Sequence, residues 1–347
     1  MAEWVVEELV VPSSVDDGDA ADFVDTIEIM NQTEAEAYGH DELRLFANEV
    51  LPWWQDSANP HRLFGVRVGG QLVGCGSYEY LTADADSCWS RINVLAANRH
   101  QGVGTALADH IEFVARADGR RKIVTYFPSP DAPGERIEAP TGFGSVPADN
   151  TEVRFAVHRG FRLEQVERGS RLALPVTVAA AVEPPADYRV HCWINATPPQ
   201  WLEQMAVLNT RMSTDAPTAG LDEPEDVYTV ERILEQDAAI ARNPRSYLTA
   251  AVEHIPTGVL AGYTVLSVPV ETDRSVVQYS TLVLREHRGH RLGMLLKLAN
   301  FDHLQRERPG HPSIITFNAE ENRPMLDVNE AVGFVAMGYE GAWRKDL

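Results

Sequence analysis

The stretch Arg99-His100-Gln101-Gly102-Val103-Gly104 decides the fold, because it stands between two segments of different periodicity. The preceding residues, 88–95 (CWSRINVL), have the composition of a β-strand. The following residues, 105–117 (TALADHIEFVARA), place apolar side chains at helical spacing. The sequence therefore predicts a strand, a glycine-containing turn and a helix whose first backbone amides lack intrahelical partners.

A turn of this kind favours an anionic ligand. The free amides and the helix dipole attract negative charge, and glycine lets the backbone approach a phosphate closely. Gly104-Thr105-Ala106 lacks the lysine of a Walker A loop, and Leu107 stands where a dinucleotide fingerprint needs its third glycine. The stretch therefore predicts a phosphate-binding site that belongs to neither of these two nucleotide motifs.

The same order of segments occurs a second time along the chain. A predicted strand at 276–284 leads to Arg288-Gly289-His290-Arg291-Leu292-Gly293, and a predicted helix continues from Met294. Both halves then continue with a strand and a short helix that ends on Gly-Phe, at 160–161 and 333–334. The repeat predicts two tandem domains of α/β (α+β) class, each with a mixed central sheet flanked by helices.

The domain boundaries follow from composition. We predict a first domain at 1–176, a linker at 177–187 and a second domain at 188–347, since the adjacent prolines at 184 and 185 interrupt regular structure. A chain of 347 residues is long enough for two domains that each close a core.

The charge of the chain excludes some partners. Acidic residues outnumber basic ones 51 to 30, which gives a net charge of −21. Such a field repels nucleic acid and anionic membrane surfaces, so we expect neither as a partner. The charge is consistent with a solubilising surface and also with attraction of a cationic amine substrate.

Cysteine usage and the start of the chain indicate a compartment. Cys75, Cys88 and Cys192 are far apart and lack a CxxC spacing, so we predict no metal site and a reducing cytosol. Residues 1–12 are acidic where a signal peptide is basic. The excess of arginine over lysine is typical of a GC-rich genome, and we expect a cytoplasmic bacterial protein, monomeric or homodimeric.

The two loops resemble the core motif of the GNAT superfamily of acyl-CoA-dependent N-acyltransferases, [Gln/Arg]-x-x-Gly-x-[Gly/Ala] after a strand. Residues 99–104 match it in full, whereas the second copy has Arg291 in place of the first glycine. The resemblance covers roughly residues 20–170 and 190–347. It implies two GNAT-like domains in which two neighbouring strands of the central sheet splay apart.

The resemblance implies acetyl-CoA as co-substrate, with its diphosphate on the amides that follow Arg99 and Arg288. The pantetheine would pair with a strand edge like an extra strand, and a backbone N–H would polarise the thioester carbonyl. The implied coenzyme-binding residues are Val94, Leu95, Ala96, Arg99, Gly102, Val103, Gly104 and Thr105 in the first half, and Val283, Arg285, Arg288, Gly289, Arg291, Gly293, Met294, Asn318 and Asn322 in the second.

The resemblance also implies a general base and a general acid. Glu79 and Tyr80 in the first half and Tyr279 in the second are candidate bases, although each also fits an ordinary place in a strand or core. The family often protonates the leaving thiolate with a tyrosine four residues before the closing glycine. That position holds Ala156 in the first half and Asn329 in the second, so Asn329 is the candidate there and the usual phenol is missing.

Three further residues are candidates for the acceptor pocket. Trp53 and Trp54 could form an apolar wall in the first half or pack in the core. Asp215, predicted on a loop before Pro217, could contact the acceptor amine or form a turn.

We expect an N-acetyltransferase that moves an acyl group from acetyl-CoA to a primary amine of a small molecule or peptide. The second half keeps the pair Asn318 and Asn322, which favours it as the catalytic domain. The alternative is an acyl-CoA-binding sensor in which one or both domains have lost turnover.

Overall fold

The computed structural model describes residues 4–176, 182–215, 217–222 and 224–347. The chain divides into two compact units. The first unit comprises Met1–Glu167, Ala219–Asp222 and Gly338–Leu347, and the second comprises Arg168–Thr218 and Glu223–Met337. Residues 177–181 of the predicted linker lie outside the described residues, and the predicted boundaries at 176 and 188 stay a prediction.

The elements of the N-terminal half follow in one order along the chain. They are β1 (Glu7–Leu9), α1 (Ala21–Tyr38), α2 (Ala47–Trp54), β2 (His61–Val68), β3 (Gln71–Glu79), β4 (Ser87–Val94), α3 (Val103–Ala117), β5 (Lys122–Pro128), β6 (Arg136–Glu138), β7 (Ser145–Pro147), α4 (Thr151–His158) and β8 (Arg162–Ala173).

The elements of the C-terminal half repeat much of that order. They are β9 (Tyr188–Ile194), α5 (Leu202–Asp215), α6 (Val230–Arg242), β10 (Ser246–His254), β11 (Val259–Val268), β12 (Val276–Val283), α7 (Leu292–Glu307), β13 (Ser313–Ala319), α8 (Arg323–Ala331) and β14 (Val335–Asp346).

The sheet of the first unit contains a gap between two parallel strands. Its strand order is β1-β2-β3-β4-β5-β14, and the β4–β5 pair is parallel while the other neighbouring pairs in this order are antiparallel. β4 and β5 pair only from Ser87–Lys122 to Trp89–Val124. Since β4 runs on to Val94, the two strands separate over the rest of their length.

Helices cover both faces of this sheet. Leu107 of α3 packs in a core cluster with Phe64 of β2, while Phe23 of α1 packs in another cluster with Leu63. Because neighbouring strand residues point to opposite faces, α3 and α1 lie on opposite faces of the sheet. The gap between β4 and β5 therefore connects the α3 face with the α1 face.

The second unit has a sheet of the same kind. The strand order is β8-β13-β12-β11-β10-β9, with β12 and β13 parallel. These two strands pair only at Val276–Ile314 and Val277–Ile315, so they also separate towards the end of β12. The predicted architecture, a mixed splayed sheet flanked by helices in each half, is confirmed.

The last part of β14 completes the first unit. It pairs antiparallel with β5 from Glu340–Pro128 to Asp346–Lys122. Trp343 in this segment is fully buried, and its ring stacks on Phe127 with 5.5 Å between the centroids. The C-terminal residues therefore supply core to a unit whose other residues lie mostly in the N-terminal half.

Trp343→Ala is expected to lower the free energy of unfolding by about 3–5 kcal/mol, because it removes a buried aromatic ring and leaves a cavity. Urea denaturation checks this value. Val10→Ala is the control, since Val10 is 55% exposed and its loss should cost no more than about 0.5 kcal/mol. A loss below about 1 kcal/mol for Trp343→Ala would contradict the packing role.

Candidate functional site

A cavity of about 1270 Å³ lies in the first unit where β4 and β5 separate. Its walls come from α1, the end of β4, the loop before α3, α3 itself, β5, α4 and β14. It therefore reaches residues of both sheet faces. The volume exceeds that of most small-molecule pockets, about 300–1,000 Å³, and suits a long ligand.

The loop before α3 forms one end of this cavity. His100 and Gly102 have left-handed backbones, with φ of +60° and +94°, and Gly102 is the N-cap of α3. His100, Gly102, Gly104 and Thr105 line the cavity. The first amides of α3 lack intrahelical acceptors, so this end of the cavity offers several donors and the positive helix dipole to an anion.

The loop of the second unit keeps the same backbone with the glycine moved. Gly289 has φ of +89°, and Arg291, the N-cap of α7, has φ of +56°. The glycine and the side-chain-bearing residue have thus exchanged places relative to His100 and Gly102. Arg291 costs roughly 1–2 kcal/mol in this conformation, yet the shape of the loop is retained.

Arg99 fastens the first loop to the sheet. Its Nε donates to the Val94 carbonyl oxygen at 2.9 Å, and its Nη2 donates to Glu36 Oε2 at 2.5 Å. The guanidinium is therefore already paired with a carboxylate of α1. The backbone amides at the start of α3, rather than this arginine alone, are the groups of the loop that could bind an anion.

Arg288 makes the matching contacts in the second unit. Its Nε donates to the Val283 carbonyl oxygen at 3.0 Å, and its Nη2 lies 2.8 Å from Asp215 Oδ2. Arg285 Nη2 lies 3.2 Å from the other oxygen of Asp215. Asp215, predicted on a loop, is the last residue of α5, and its buried carboxylate takes the place that Glu36 has in the first unit.

The predicted coenzyme residues of the first half divide into two groups. Val94, Arg99, Gly102, Gly104 and Thr105 line the cavity. Leu95, Ala96 and Val103 are not among its lining residues: the Leu95 amide donates to the Val73 carbonyl, Ala96 begins a short 3-10 turn, and Val103 is buried in the core.

In the second half, the remaining predicted coenzyme residues lie around α7 and α8. Gly293 and Met294 are in the first turn of α7, and Met294 packs against a core cluster. Asn322 is the N-cap of α8. Asn318, near the end of β13, accepts a hydrogen bond from Asn329 Nδ2 at 2.7 Å.

Carboxyl groups line another part of the first-unit cavity. Glu34 of α1 and Glu340 of β14 are both lining residues, and Tyr38 donates a hydrogen bond to Glu340 at 2.5 Å. Burial raises the pKa of Glu34, the Arg91 guanidinium opposes that shift, and the Glu340 carboxylate adds to it. Burial, together with Glu340, raises the pKa of Tyr38, so this phenol stays protonated.

Sequence reasoning missed Glu34 and Glu340. Tyr38 and Glu340 are 302 residues apart, and neither glutamate belongs to a local motif. The sequence repeat did not indicate that Glu340 lies in the first unit, because the repeat assigns the last strand to the second half. Only the pairing of β14 with β5 brings Glu340 to this cavity.

The predicted bases lie elsewhere. Glu79, the last residue of β3, is ion-paired with His61 and is not a lining residue of the cavity. Tyr279 of β12 is 41% exposed and stacks on Tyr247 with 6.3 Å between the rings. Their catalytic roles stay predictions, and the first-unit cavity brings neither residue together with the loop.

The other predicted side chains are in apolar or buried surroundings. Trp54 makes an edge-to-face contact with Phe23 at 5.6 Å in the core beneath α1, while Trp53 is 38% exposed on α2. Asn329 is buried against Asn318, whereas Ala156, at the matching position of the first unit, lines the cavity.

Within the described ranges, no three His, Cys, Asp or Glu side chains are grouped so that they could hold a metal ion. The helices in the same ranges all fall short of the length and apolarity needed to cross a bilayer.

The first unit therefore combines a sheet that opens between two parallel strands with the start of a helix at the open end. Residues 23–132 match the model of the "Acetyltransferase (GNAT) family". The first half therefore contains a GNAT acetyltransferase domain, as the loop motif predicted. No curated protein matches the chain by sequence.

Solved structures extend the likeness over the whole chain. A tandem GNAT protein from the clavulanic acid biosynthesis pathway is 23% identical with a TM-score of 0.77, covering 99% of this chain and 98% of that one. A GCN5-related N-acetyltransferase from Sphaerobacter thermophilus is 16% identical with a TM-score of 0.66, covering 99% and 95%. The chain therefore has the tandem GNAT fold.

A third structure shares the fold more distantly. The N-myristoyltransferase of Saccharomyces cerevisiae, solved with bound myristoyl-CoA, is 9% identical with a TM-score of 0.58, covering all of this chain and 79% of that one.

Proposed function

We propose that the protein transfers an acyl group from acyl-CoA, acetyl-CoA in the first instance, to a primary amine, and that the reaction takes place in the first unit. One observation carries the proposal: a single cavity joins the anion-binding loop to the Glu34 carboxyl group through the gap between β4 and β5. The acceptor is a small molecule or a peptide that carries the amine.

In this proposal the diphosphate of the coenzyme binds at the start of α3. Gly102 suits that role because it is the N-cap of α3, has a left-handed backbone and carries no side chain to obstruct the approach of a phosphate. Arg154 of α4 also lines the cavity and can add positive charge near the phosphates. The pantetheine follows the edge of β4 beyond Trp89, where pairing with β5 has ended.

The acceptor amine enters from the α1 face and is held near Glu34 and Glu340. Their negative charge favours a cationic amine over a neutral nucleophile. Glu34 removes a proton from the ammonium, and the free amine attacks the thioester carbonyl carbon. The C–S bond then breaks, and the leaving sulfur takes up, through water, the second proton that the acylated nitrogen has to lose. Holding amine and thioester together supplies a large part of the rate.

This assignment differs from the preference for the second half that the sequence suggested. In the first unit the position of the usual tyrosine holds Ala156, which cannot donate a proton. A CoA thiol is acidic enough for its thiolate to leave without a tyrosine, so the missing phenol lowers the rate but does not prevent the reaction.

The proposal is tested by measuring the release of free CoA thiol when a panel of amines is added to the full chain and acetyl-CoA. We expect thiol release with primary amines, fastest with those that carry additional positive charge. Binding of acetyl-CoA without thiol release for any amine would favour the sensor alternative instead.

Gly102→Ala is expected to weaken CoA binding at least about tenfold, because it strains the loop and crowds Trp4. Gly119→Ala is the matched control at the other end of α3, where φ is +75° and no atom lies within 4 Å of the added Cβ. Both variants should lose about 1–2 kcal/mol of stability, while only Gly102→Ala should lose affinity in a calorimetric titration. Equal affinities would remove the loop from the coenzyme site.

A further inference from the structure

The two units follow one pattern, so equivalent positions can be compared residue by residue. An offset of 189 residues relates Arg99 to Arg288 and the first residue of α3, Val103, to the first residue of α7, Leu292. An offset of 173 residues relates the Gly-Phe pairs that follow α4 and α8.

Two small residues that line the first-unit cavity have larger counterparts in the second unit. Ala108 of α3 corresponds to Lys297 of α7, and Ala156 of α4 corresponds to Asn329 of α8. In the first unit these alanines leave open the space between α3, α4 and the separated strands. The second unit places a long side chain and an amide at the same two positions.

The Lys297 side chain extends towards the Phe334 ring, at the corresponding cleft of the second unit. It is 1% exposed, and its Nζ lies 5.6 Å from the ring centroid of Phe334. The counterpart of Phe334 is Phe161, which lines the first-unit cavity. Lys297 therefore crosses the space that Ala108 leaves free.

The Asn329 side chain also occupies the cleft of the second unit. It is 1% exposed and donates through Nδ2 to Asn318 Oδ1 at 2.7 Å, which joins α8 to the end of β13. The amide pair spans the side of the cleft that borders β13, the counterpart of β5.

The low pKa of the Lys297 amine is compatible with its burial. Burial alone lowers its pKa to about 7, and no charged group among the described residues contributes to the shift. A neutral amine is much less costly to bury than an ammonium group. Lys297 can therefore occupy the cleft without an anionic partner.

We propose that Lys297, together with Asn329, closes the coenzyme cleft of the second unit, so that a chain with two diphosphate loops takes up one acyl-CoA. The inference rests on the proposed function for the first-unit site. It makes Lys297 a residue that determines which half of a duplicated fold accepts the coenzyme.

Calorimetric titration of the full chain with CoA tests the closure through the number of equivalents bound. We expect one equivalent for the wild type and two for Lys297→Ala/Asn329→Ala, which restores both alanines of the first unit. Lys297→Met keeps a long side chain without the amine and should still bind one. In the reverse design, Ala108→Lys should lower the number from one to none.

Two equivalents in the wild type would overturn the closure, and so would one equivalent in a folded double variant or in Ala108→Lys. Acetylation of Lys297 when the wild type is incubated with acetyl-CoA would also overturn it, since the thioester would then have reached the second cleft. No binding in the wild type but one equivalent in the double variant would support the closure and refute the first-unit function. No binding in either would refute both.

Discussion

Glu34→Gln should lower kcat for amine acylation by roughly 10²–10³-fold while leaving the Kd for acetyl-CoA nearly unchanged. The amide keeps the size of the carboxyl group but cannot take the proton that the ammonium must lose. Glu34 lies on α1 and is not part of the loop that is proposed to hold the diphosphate, so coenzyme binding should not need it. Steady-state kinetics with a saturating amine and a separate binding titration measure the two effects.

The control for this variant is Glu28→Gln on the same helix. Glu28 is exposed and accepts a hydrogen bond from Gln32 at 2.9 Å, and it is not a lining residue of the cavity. Its kcat should match that of the wild type. A Glu34→Gln enzyme with wild-type kcat would show that another group or water accepts the proton.

The raised pKa of Glu34 also sets the pH dependence. A general base acts only when ionised, so kcat/KM should fall as the pH drops through the pKa of Glu34. Because burial raises that pKa, the fall should occur above the value of about 4.3 for an ordinary glutamate. Glu34→Gln should lose this acidic limb, and an unchanged limb would assign it to a different group.

Thr125→Trp should weaken acetyl-CoA binding by about 100-fold or more, because an indole would fill the gap between the separated strands. Thr125 lines the cavity one residue beyond Val124, the last residue of β5 that pairs with β4. The pantetheine has to pass this point in the proposed complex. Excluding it removes most of the apolar and strand-edge contacts, whereas the diphosphate contacts alone should give only weak binding.

Thr125→Val is the matched control, since valine has nearly the shape of threonine and leaves the gap open. Its affinity should remain close to that of the wild type in the same titration. Urea denaturation of both variants separates a blocked cleft from a damaged fold. Retained affinity in a folded Thr125→Trp protein would place the coenzyme outside the gap.

The loops could be predicted from sequence because their geometry is local. A strand, an arginine and a glycine followed by a helix specify where free amides will lie, whichever residue takes the left-handed position. The substitution of Arg291 for glycine shows this, since φ of +56° is kept there. The two copies then identified the repeat, and the resemblance to the GNAT superfamily implied the splayed sheets.

The acidic part of the cavity could not be predicted, because it depends on tertiary packing. Glu34 is one of several acidic residues on α1, and nothing in the local sequence shows that it faces the gap. Glu340 reaches the cavity only through the pairing of β14 with β5. Asp215, for which the sequence left an acceptor contact and a turn open, is the last residue of α5, and its carboxylate is paired with Arg285 and Arg288. Its contact with an acceptor stays a prediction.

The central claim is that acyl-CoA binds across the gap between β4 and β5 in the first unit. A crystal structure of the full chain with acetyl-CoA tests it most directly. We expect the diphosphate on the amides that begin α3 and the thioester between β4 and β5, within reach of Glu34. Coenzyme held only beside α7, or no coenzyme density at saturating concentration, would contradict the claim.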